Sequence, residues 1–349
     1  MNDIVNPIHC FLPPYIVERI AESPDPKIRR LAINAITVGV EARAVRNTLS
    51  MMPAMAAVPS PRARKHRLVY DLKNQYFPLP GKLAREEGER KVKDPATNEA
   101  YDNAGHIYNF FKKNFDRNSI DANGMSLISS VHIGENVNNA MWNGEQMIYG
   151  DGDGDIFLRY TNSLDVAGHE FTHGVVMYES NLIYQDEPGA LNEHFADVMG
   201  SLVKQWRKKQ TAKKADWLLG DDLIGPGLKA KAVRTMKGEK AYEDDPILGT
   251  DPQPKHMKDK FTGWLDNGGV HINSGIPNHA FFLTAVEIAG YAWEKAGSIW
   301  YKTLRKLNRY SVFQEAAETT YQVAGSDFGN GSKEQKAVRA AWNAVGISV

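Results

Sequence analysis

The chain has 349 residues, of which 42% are hydrophobic and 24% charged, a composition typical of a soluble globular protein long enough for two domains. Lysine plus arginine and aspartate plus glutamate number 42 each, so no net charge attracts the chain to nucleic acid or to an anionic membrane. The single cysteine excludes an intramolecular disulfide, and no stretch approaches the roughly eighteen apolar residues of a membrane span.

The first twenty residues differ from a signal peptide. Asp3 replaces the expected positive charge, and three prolines, Pro7, Pro13 and Pro14, interrupt any apolar core. We therefore expect synthesis in the cytoplasm, followed by a cytoplasmic location or by release through a route that needs no conventional signal peptide.

Residues 1–50 form a small unit of their own in this interpretation. Helical apolar spacing runs from Pro14 to Ile36 and is broken at residues 23–26. Residues 51–67 are rich in methionine, alanine and proline, which predicts an exposed linker open to proteases. Its basic run, 62–67, is interpreted as a solvated patch and not as a nucleic-acid site.

The remaining chain divides into two halves. Short runs separated by turns, with one helix at 101–117, predict a β-rich half that covers residues 68–184 and includes a helix at 164–180. Helical periodicity dominates residues 185–349. The predicted helices there are 192–210, 277–297, 298–308, 311–325 and 332–344. The fold class is α+β, with two lobes.

The helix at 164–180 carries the strongest chemical signal, the box His169-Glu170-Phe171-Thr172-His173. Two histidines four positions apart project from one helix face and can bind one Zn²⁺, and Glu170 can reach a water on the open side of the metal. Short His- and Glu-rich patterns also arise by chance, so a third ligand is required. Glu193 supplies it, and Asp165, Asn192 and Asp197 are candidates to hold the outer ring nitrogens.

At this point a resemblance is evident. Six motifs carry it, in this order: Asn138–Trp142, His169–His173, Leu182–Gln185, Asn192–Asp197, Val233–Met236 and Asp266–Gly275. From about Leu68 to its end the chain resembles the thermolysin family of zinc endopeptidases, whose two lobes enclose the active site. Its N-terminus resembles the protealysin-type branch, which implies a short pro-segment at 1–50 and a bacterial protein.

The resemblance implies a neutral endopeptidase that cleaves through a water bound to zinc and activated by Glu170. It assigns Tyr184 and His271 as hydrogen-bond donors to the developing oxyanion, and Asp266 as the group that orients His271. A tyrosine such as Tyr184 is otherwise most often a core residue. Asp266 and His271 lie in a glycine-rich loop, where polar residues more often serve a site.

Substrate-binding residues also follow from the resemblance. Asn139, Ala140 and Trp142 match an edge strand that pairs with a peptide, and Arg234 matches a ligand of the substrate carbonyl. Phe157, Val166 and Val233 match an apolar pocket. These positions imply cleavage on the amino side of bulky hydrophobic residues in peptide or protein substrates.

One departure concerns calcium. The family's paired calcium site uses several carboxylates, of which Asp165, Asp216 and Asp221 remain, whereas Lys204 and Leu218 stand where two glutamates are expected. Two lost anions and an added ammonium argue against Ca²⁺, and Lys204 could neutralise the carboxylates instead. Zinc is therefore the expected cofactor and calcium is doubtful.

The pro-segment is the expected intramolecular inhibitor. Cys10 lies in a proline-bounded stretch able to enter a substrate groove, and its thiol could occupy the open position of the zinc in the precursor, as the resemblance also implies. A lone cysteine is more commonly a small buried apolar residue. The main rival to this interpretation is a zinc protein that has lost catalysis and binds peptides, against which the intact Glu170, Tyr184 and His271 argue.

Overall fold

The computed structural model describes residues 9–36 and 64–349. Six strands form its main sheet in the order β1-β5-β6-β4-β2-β3. Strand β2 pairs in parallel with β4, and β4 with β6, whereas the other neighbours are antiparallel. The strands are β1 (His9–Cys10), β2 (Arg67–Asp71), β3 (Lys82–Glu86), β4 (Leu127–Val131), β5 (Ala140–Trp142) and β6 (Met147–Tyr149).

Helices account for most of the regular secondary structure in the second half of the chain. In chain order the helices are α1 (Pro14–Ala21), α2 (26–36), α3 (Pro95–Phe115), α4 (Leu164–Tyr178), α5 (Asp186–Lys208), α6 (Leu265–Asn273), α7 (Gly275–Ile288), α8 (Ala296–Leu304), α9 (Phe313–Phe328) and α10 (Lys333–Ala344). A two-stranded sheet joins β7 (Leu218–Leu219) to β8 (Arg234–Thr235). The predicted α+β architecture with a β-rich and a helical lobe is confirmed.

Helix α3 begins earlier than its apolar spacing predicted, at Pro95 instead of residue 101. Asp94 caps it by accepting a hydrogen bond from the backbone N–H of Thr97 at 2.7 Å, and Pro95 occupies the first turn, where no backbone donor is lost. The helix ends at Phe115, and the next residue, Asp116, has a left-handed φ of 52°. Hydrophobic periodicity alone therefore predicted too short a helix, because the polar cap at Asp94 places its start six residues earlier.

Two other boundaries also differ from prediction. Helix α5 begins at Asp186 and not at residue 192, with two acidic residues in its first turn, where the helix dipole favours them. The predicted helix 277–297 ends at Ile288, because Ala289 and Gly290 adopt positive φ angles of 64° and 74°.

The predicted linker also ends earlier than expected. Arg67 belongs to strand β2, where its guanidinium pairs with Glu87 and lies 3.7 Å from the ring centre of Tyr101. It is therefore not part of a solvated basic patch, as the sequence suggested. Residues 37–63, which contain most of the linker, lie outside the described part of the chain.

The N-terminal segment packs into the same hydrophobic core as the rest of the protein. Phe11, Leu12, Ile16 and Ile20 are all buried in it. Each such side chain contributes roughly 1.5–3 kcal/mol relative to exposure. Asn34 of helix α2 also donates a hydrogen bond to the carbonyl of Glu135 at 2.9 Å.

Helices α4 and α5 approach closely at a pair of glycines. A methyl group at Gly168 would lie 3.0 Å from the Cα of Gly200, and one at Gly200 would lie 2.4 Å from the carbonyl oxygen of Asp165. Any larger residue would push the helices apart. This contact brings residues near His169 on one helix against residues near Asp197 on the other.

Within residues 9–36 and 64–349, no helix combines the length and apolarity needed to cross a membrane.

Candidate active site

The histidines of helix α4 meet a carboxylate of helix α5 in the buried space between them. The Nε2 atoms of His169 and His173 lie 2.9 Å apart, and each lies 3.4 Å from an oxygen of Glu193. All three side chains are buried, and their ligand atoms lie within 4.8 Å of one another. The tertiary structure therefore assembles the three ligands that the sequence predicted.

Two polar residues of helix α5 hold the outer nitrogens of these imidazoles. His169 Nδ1 lies 2.9 Å from Asp197 Oδ1, and His173 Nδ1 lies 2.9 Å from Asn192 Oδ1. Since the Asn192 amide nitrogen donates to the Leu182 carbonyl, its oxygen is the atom that faces His173. Both imidazoles therefore donate outward through Nδ1 and present an Nε2 lone pair to the centre.

This donor set fits a divalent transition metal. Two Nε2 lone pairs that face each other at 2.9 Å repel unless a cation lies near both. Among the described residues no hydrogen-bond donor reaches the buried Oε2 of Glu193, which lies beside His169 Nε2. Two imidazoles and one carboxylate are the ligand set of an open catalytic zinc site.

Asp165, the third candidate for holding a ligand histidine, has a different role. Its side chain contacts Lys204 Nζ at 2.9 Å and accepts from the backbone N–H of Gly220 at 3.2 Å. It lies in the first turn of helix α4, one turn before His169, and does not support an imidazole. Of the three candidates, Asn192 and Asp197 contact the ligands and Asp165 does not.

Two of the predicted catalytic helpers, Tyr184 and His271, lie next to Glu193. Glu170 is fully buried beside His169. Tyr184 donates a hydrogen bond to Glu193, and its hydroxyl lies 3.0 Å from His271 Nε2. Burial, followed by the nearby Glu193 carboxylate, raises the pKa of Tyr184 well above its ordinary value, so the phenol keeps its proton.

The first part of α6 departs from helical geometry and positions Asp266 against His271. Four consecutive residues, 266–269, have φ angles from 51° to 82°, and two of them are not glycine. This backbone lets Asp266 accept from the backbone N–H of His271 at 2.7 Å and contact its Nδ1 at 2.6 Å. Burial alone would lower the pKa of His271, but Glu193 and Asp266 outweigh it and raise the pKa to about 9.

Arg234 forms a fully buried ion pair with Asp197. Its Nη2 lies 2.9 Å from Asp197 Oδ1, and its Nη1 donates to the Phe11 carbonyl at 2.8 Å. Burial would raise the pKa of Asp197, but Arg234 and the His169 hydrogen bond hold it well below its usual range. One carboxylate thus supports both a metal ligand and a cation that faces the groove.

The N-terminal segment lies in that groove along the predicted edge strand. In the antiparallel β1–β5 pair, His9 is opposite Trp142 and Cys10 is opposite Met141. The Phe11 N–H donates to the Ala140 carbonyl at 3.1 Å.

Two further contacts tie the segment to predicted site residues. The Leu12 N–H donates to Asn139 Oδ1 at 3.1 Å, and the Cys10 carbonyl lies 3.1 Å from His271 Nε2. The Cys10 side chain is partly buried and packs against a small apolar cluster that includes Met141. The segment therefore meets the edge strand, His271 and Arg234 at once.

The ring of Phe11 is fully buried beside the candidate metal ligands. It meets the His169 ring edge-on at 5.2 Å between centroids, and the Arg234 guanidinium lies 4.4 Å from its centre. Phe157, Val166 and Val233, the predicted pocket residues, are also fully buried.

Gly220 is a pocket residue that the sequence reasoning missed. A methyl group there would lie 2.9 Å from the Phe11 ring and 3.1 Å from a Val233 methyl, and Gly220 has a φ of 69°. A single glycine after an apolar pair gives no signal that it faces a ligand.

The carboxylates of the doubtful calcium site surround Lys204. Its Nζ lies 2.9 Å from Asp165, 2.6 Å from Asp221, 3.6 Å from Asp216 and 2.7 Å from the Leu218 carbonyl. Burial would lower the pKa of Lys204, but the three carboxylates outweigh it and hold the pKa above its ordinary value. The ammonium therefore lies where these oxygens converge, as the sequence suggested, while the effect of calcium stays a prediction.

Comparison with known proteins gives consistent matches over nearly the whole chain. Residues 61–177 match the description "Thermolysin metallopeptidase, catalytic domain", and residues 180–347 match "Thermolysin metallopeptidase, alpha-helical domain". An extracellular metalloprotease of Pectobacterium carotovorum subsp. carotovorum is 42% identical over 98% of this chain and 97% of its own length. Protease PrtS of a Photorhabdus species is 47% identical over 81% of this chain and 77% of its own length.

A solved structure matches as well. The precursor of protealysin, a metalloproteinase from Serratia proteamaculans, has a TM-score of 0.88 and 44% identity, and the match covers 97% of this chain and 100% of that one.

Proposed function

This chain belongs to the thermolysin family of metallopeptidases and is a zinc-dependent endopeptidase; we propose that it is made as an inactive precursor and cleaves on the amino side of bulky hydrophobic residues. The observation that carries the proposal is the position of the N-terminal segment in the groove. Phe11 fills a buried apolar pocket beside His169, while its own carbonyl and that of Cys10 contact Arg234 and His271.

His169, His173 and Glu193 hold the metal in this proposal. When bound, Zn²⁺ lowers the pKa of a coordinated water and polarises a carbonyl group. Glu170 takes the proton of the attacking water and passes it to the leaving amine, a general base that becomes a general acid. Its position next to His169 on helix α4 supports this role.

Tyr184 and His271 donate hydrogen bonds to the oxygen on which negative charge develops. Two features support the assignment: the phenol of Tyr184 keeps its proton, and Asp266 fixes one nitrogen of His271 so that Nε2 faces the groove. Donors held in place by the fold cost no reorganisation during the reaction. One such donor is commonly worth about 3–4 kcal/mol.

Substrate binds as an added strand on β5. The segment His9–Leu12 supports this role, because it uses the Ala140 carbonyl and the Asn139 side chain as a peptide would. Backbone hydrogen bonds hold any sequence, so side-chain selection depends on the pocket that Phe11 fills. A charged side chain there would be buried without a partner, which is costly.

Mapping the cleavage sites in a peptide library by mass spectrometry tests the specificity. We expect cuts before Phe, Leu, Ile and Val, and a Gly220→Ala variant should shift the cuts toward smaller apolar residues because its methyl group would enter the space of the Phe11 ring. A majority of cuts before Lys or Asp would disprove the pocket assignment.

Latency follows from occupation of the groove by residues 9–12. We propose in addition that the Cys10 thiol takes the open position of the zinc in the precursor. Support comes from its place in the chain, since its carbonyl lies 3.1 Å from His271 Nε2. Its side chain packs against the apolar cluster that includes Met141, so binding to zinc would require a change in its side-chain conformation. Thiolate is a strong zinc ligand, and a nearby metal lowers the pKa of a thiol.

Casein hydrolysis by the purified chain, before and after maturation and with a chelator control, tests metal, activity and latency together. Cys10→Ser should mature faster and show activity as a full-length chain. Phe11→Ala separates the two forms of inhibition, because it removes the pocket anchor and keeps the thiol. If Cys10→Ser is as latent as the wild type, and the Cys10 thiol of the wild-type precursor alkylates freely with zinc bound, steric occupation alone explains latency.

The name of the Pectobacterium relative places that protein outside the cell. We extend this location to the present chain as part of the proposal, with peptides or proteins as substrates.

A further inference from the structure

The carboxylate of Asp197 has a third partner that belongs to none of the motifs. Its Oδ1 contacts His169 and Arg234, while Asn278 of helix α7 donates to its Oδ2 at 2.9 Å. Asn278 is fully buried and lies 81 positions away in sequence. The residue that orients a metal ligand is therefore itself held by a different helix.

A chain of hydrogen bonds continues behind Asn278. Its side-chain oxygen lies 2.7 Å from Nδ1 of His194, and Nε2 of His194 lies 2.7 Å from the indole nitrogen of Trp300. His194, Asn278 and Trp300 are all at most 1% exposed. We call these three residues the Trp300 relay.

The chemistry of the groups gives the relay one direction. An indole N–H only donates, so His194 accepts through Nε2 and must carry its proton on Nδ1. That proton is donated to the Asn278 oxygen, which leaves the Asn278 amide nitrogen to face Asp197. A carboxylate only accepts, so every bond from Trp300 to Asp197 is satisfied in this orientation and in no other.

Arg234 also fixes the orientation of the Asp197 carboxylate. Its Nε lies 3.1 Å from Oδ2 and 3.3 Å from Oδ1 of Asp197, in addition to the Nη2 contact with Oδ1. Together these contacts form a side-on bidentate pair, which coexists with the 2.9 Å contact between Oδ1 and His169 Nδ1. Asn278 donates to Oδ2 as well, so Arg234 and Asn278 together hold the carboxylate in the orientation in which Oδ1 faces the imidazole.

We propose that Asn278 and His194 are positioning residues for the metal ligand His169, acting through Asp197 and anchored by Trp300. This inference rests on the proposed zinc site. The relay fixes the carboxylate, the carboxylate fixes the Nδ1–H form of His169, and the His169 Nε2 lone pair is then ready for the metal. Its expected signature is a change in zinc affinity, which a purely structural role in the core would not produce.

Zinc affinity of the full-length chain, measured by competition with a chromophoric chelator, tests the relay. Replacing a residue that hydrogen-bonds directly to a ligand histidine commonly changes metal affinity 10–100-fold. Asn278 is one hydrogen bond further from the metal than such a residue, so we expect Asn278→Leu to weaken zinc binding about tenfold. Trp300→Phe, at the far end of the relay, should weaken it about two- to threefold. His194→Leu should fall between them. His194→Asn should recover most of the affinity, because its amide nitrogen can stand where Nδ1 stands.

Two control variants break matched hydrogen bonds that do not lead to the metal. Thr284→Val removes a buried 2.9 Å bond to the Ala280 carbonyl in the same helix as Asn278. Trp342→Phe removes a 2.8 Å indole bond to Thr320 from a ring that stacks on Trp300. Both should keep the wild-type zinc affinity within about twofold, whatever they do to the melting temperature.

Non-additivity gives a second criterion. If His194 acts through Asn278, the double variant Asn278→Leu, His194→Leu should bind zinc no more weakly than Asn278→Leu alone. Two-bond ¹H–¹⁵N spectra of the metal-free chain should show His194 in its Nδ1–H form. An Nε2–H form of His194, or fully additive losses, would overturn the relay.

The outcomes separate this inference from the proposed function. Stoichiometric zinc in the wild type, together with an Asn278→Leu affinity equal to that of Thr284→Val, would overturn the relay alone. A wild-type chain that binds no zinc would overturn the metal site and the relay together. If Asn278→Leu does not fold, the comparison of His194→Leu with His194→Asn decides: equal zinc affinities in these two variants would overturn the relay.

Discussion

The paired helices α4 and α5 carry two buried clusters of carboxylates that are neutralised in different ways. At one, Glu193 meets two imidazoles with inward-facing lone pairs, a set that requires an added cation. At the other, Asp165 meets Lys204, a cation that belongs to the chain. An exchangeable metal leaves a coordination position open for chemistry, whereas a tethered ammonium uses its donors on the protein and stabilises the fold permanently.

A third and smaller cluster completes the comparison. His132 lies between Asp151, at 2.8 Å, and Asp94, at 3.3 Å, on the β-rich lobe. Here the cation can lose its proton within an accessible pH range. The three clusters therefore predict three behaviours: dependence on metal, independence of added ions, and dependence on pH.

The largest expected effect comes from the metal cluster. Glu170→Gln should lower kcat about 10²–10⁴-fold, because the proton acceptor is lost, while zinc content stays at one per chain. Each variant would be matured by added trypsin, which is then inhibited, and assayed on a peptide with parallel metal analysis. Glu193→Gln, by contrast, should weaken zinc binding itself.

Zinc that stays undiminished in a Glu193→Gln, His173→Ala double variant would falsify the ligand assignment.

Substitution in the lysine cluster should lower the free energy of unfolding and leave the activity unchanged. Lys204→Met keeps the side-chain volume but leaves Asp165 buried beside two further carboxylates, so unfolding should become easier by about 3 kcal/mol. Millimolar Ca²⁺ should restore part of the melting temperature of this variant, because the carboxylates and the Leu218 carbonyl are hard oxygen ligands.

The wild type provides the decisive comparison for Lys204. Its melting temperature should not respond to calcium, and an equal rise in wild type and variant would show that the ion binds elsewhere. Lys302→Met, which breaks a more exposed pair with Asp327, should cost only about 0–1 kcal/mol.

The histidine cluster should give the smallest effect and the only one with a sharp pH signature. The hydrogen bond that His132 donates to Asp151 raises the pKa of His132 to about 9, against the opposing effect of burial. Because the folded pKa exceeds the unfolded value, the stabilisation is complete below about pH 6.5 and is lost as the pH rises through about 9.

The variant His132→Asn tests this linkage, since asparagine tolerates the left-handed backbone at φ 60°. After allowance for partial exposure, it should destabilise the fold by about 1–2 kcal/mol at pH 6 and by almost nothing at pH 10. Asp151→Asn should reproduce the same trend in denaturant titrations. A deficit that is constant across this range would contradict the assignment.

The sequence by itself determined the ligand histidines, because the spacing of His169 and His173 follows from helix geometry alone. It also determined the two-lobed fold class, since the period of the apolar residues changes from strand-like to helical near residue 164. Ordered motifs further identified Glu193, Tyr184 and His271, although nothing in their spacing showed that they would meet.

Only the tertiary structure decided which distant groups act together. The close approach at Gly168 and Gly200 brings Asp197 to His169, and helix α7 then adds Asn278 from a part of the chain that carried no chemical signal. Asp165 is the opposite case. Its position near the histidines in sequence suggested that it supports a metal ligand, but in the folded chain it pairs with Lys204. Periodicity records which face of a helix is buried, but the partner of each buried polar group depends on how the helices pack, and that information is not local in sequence.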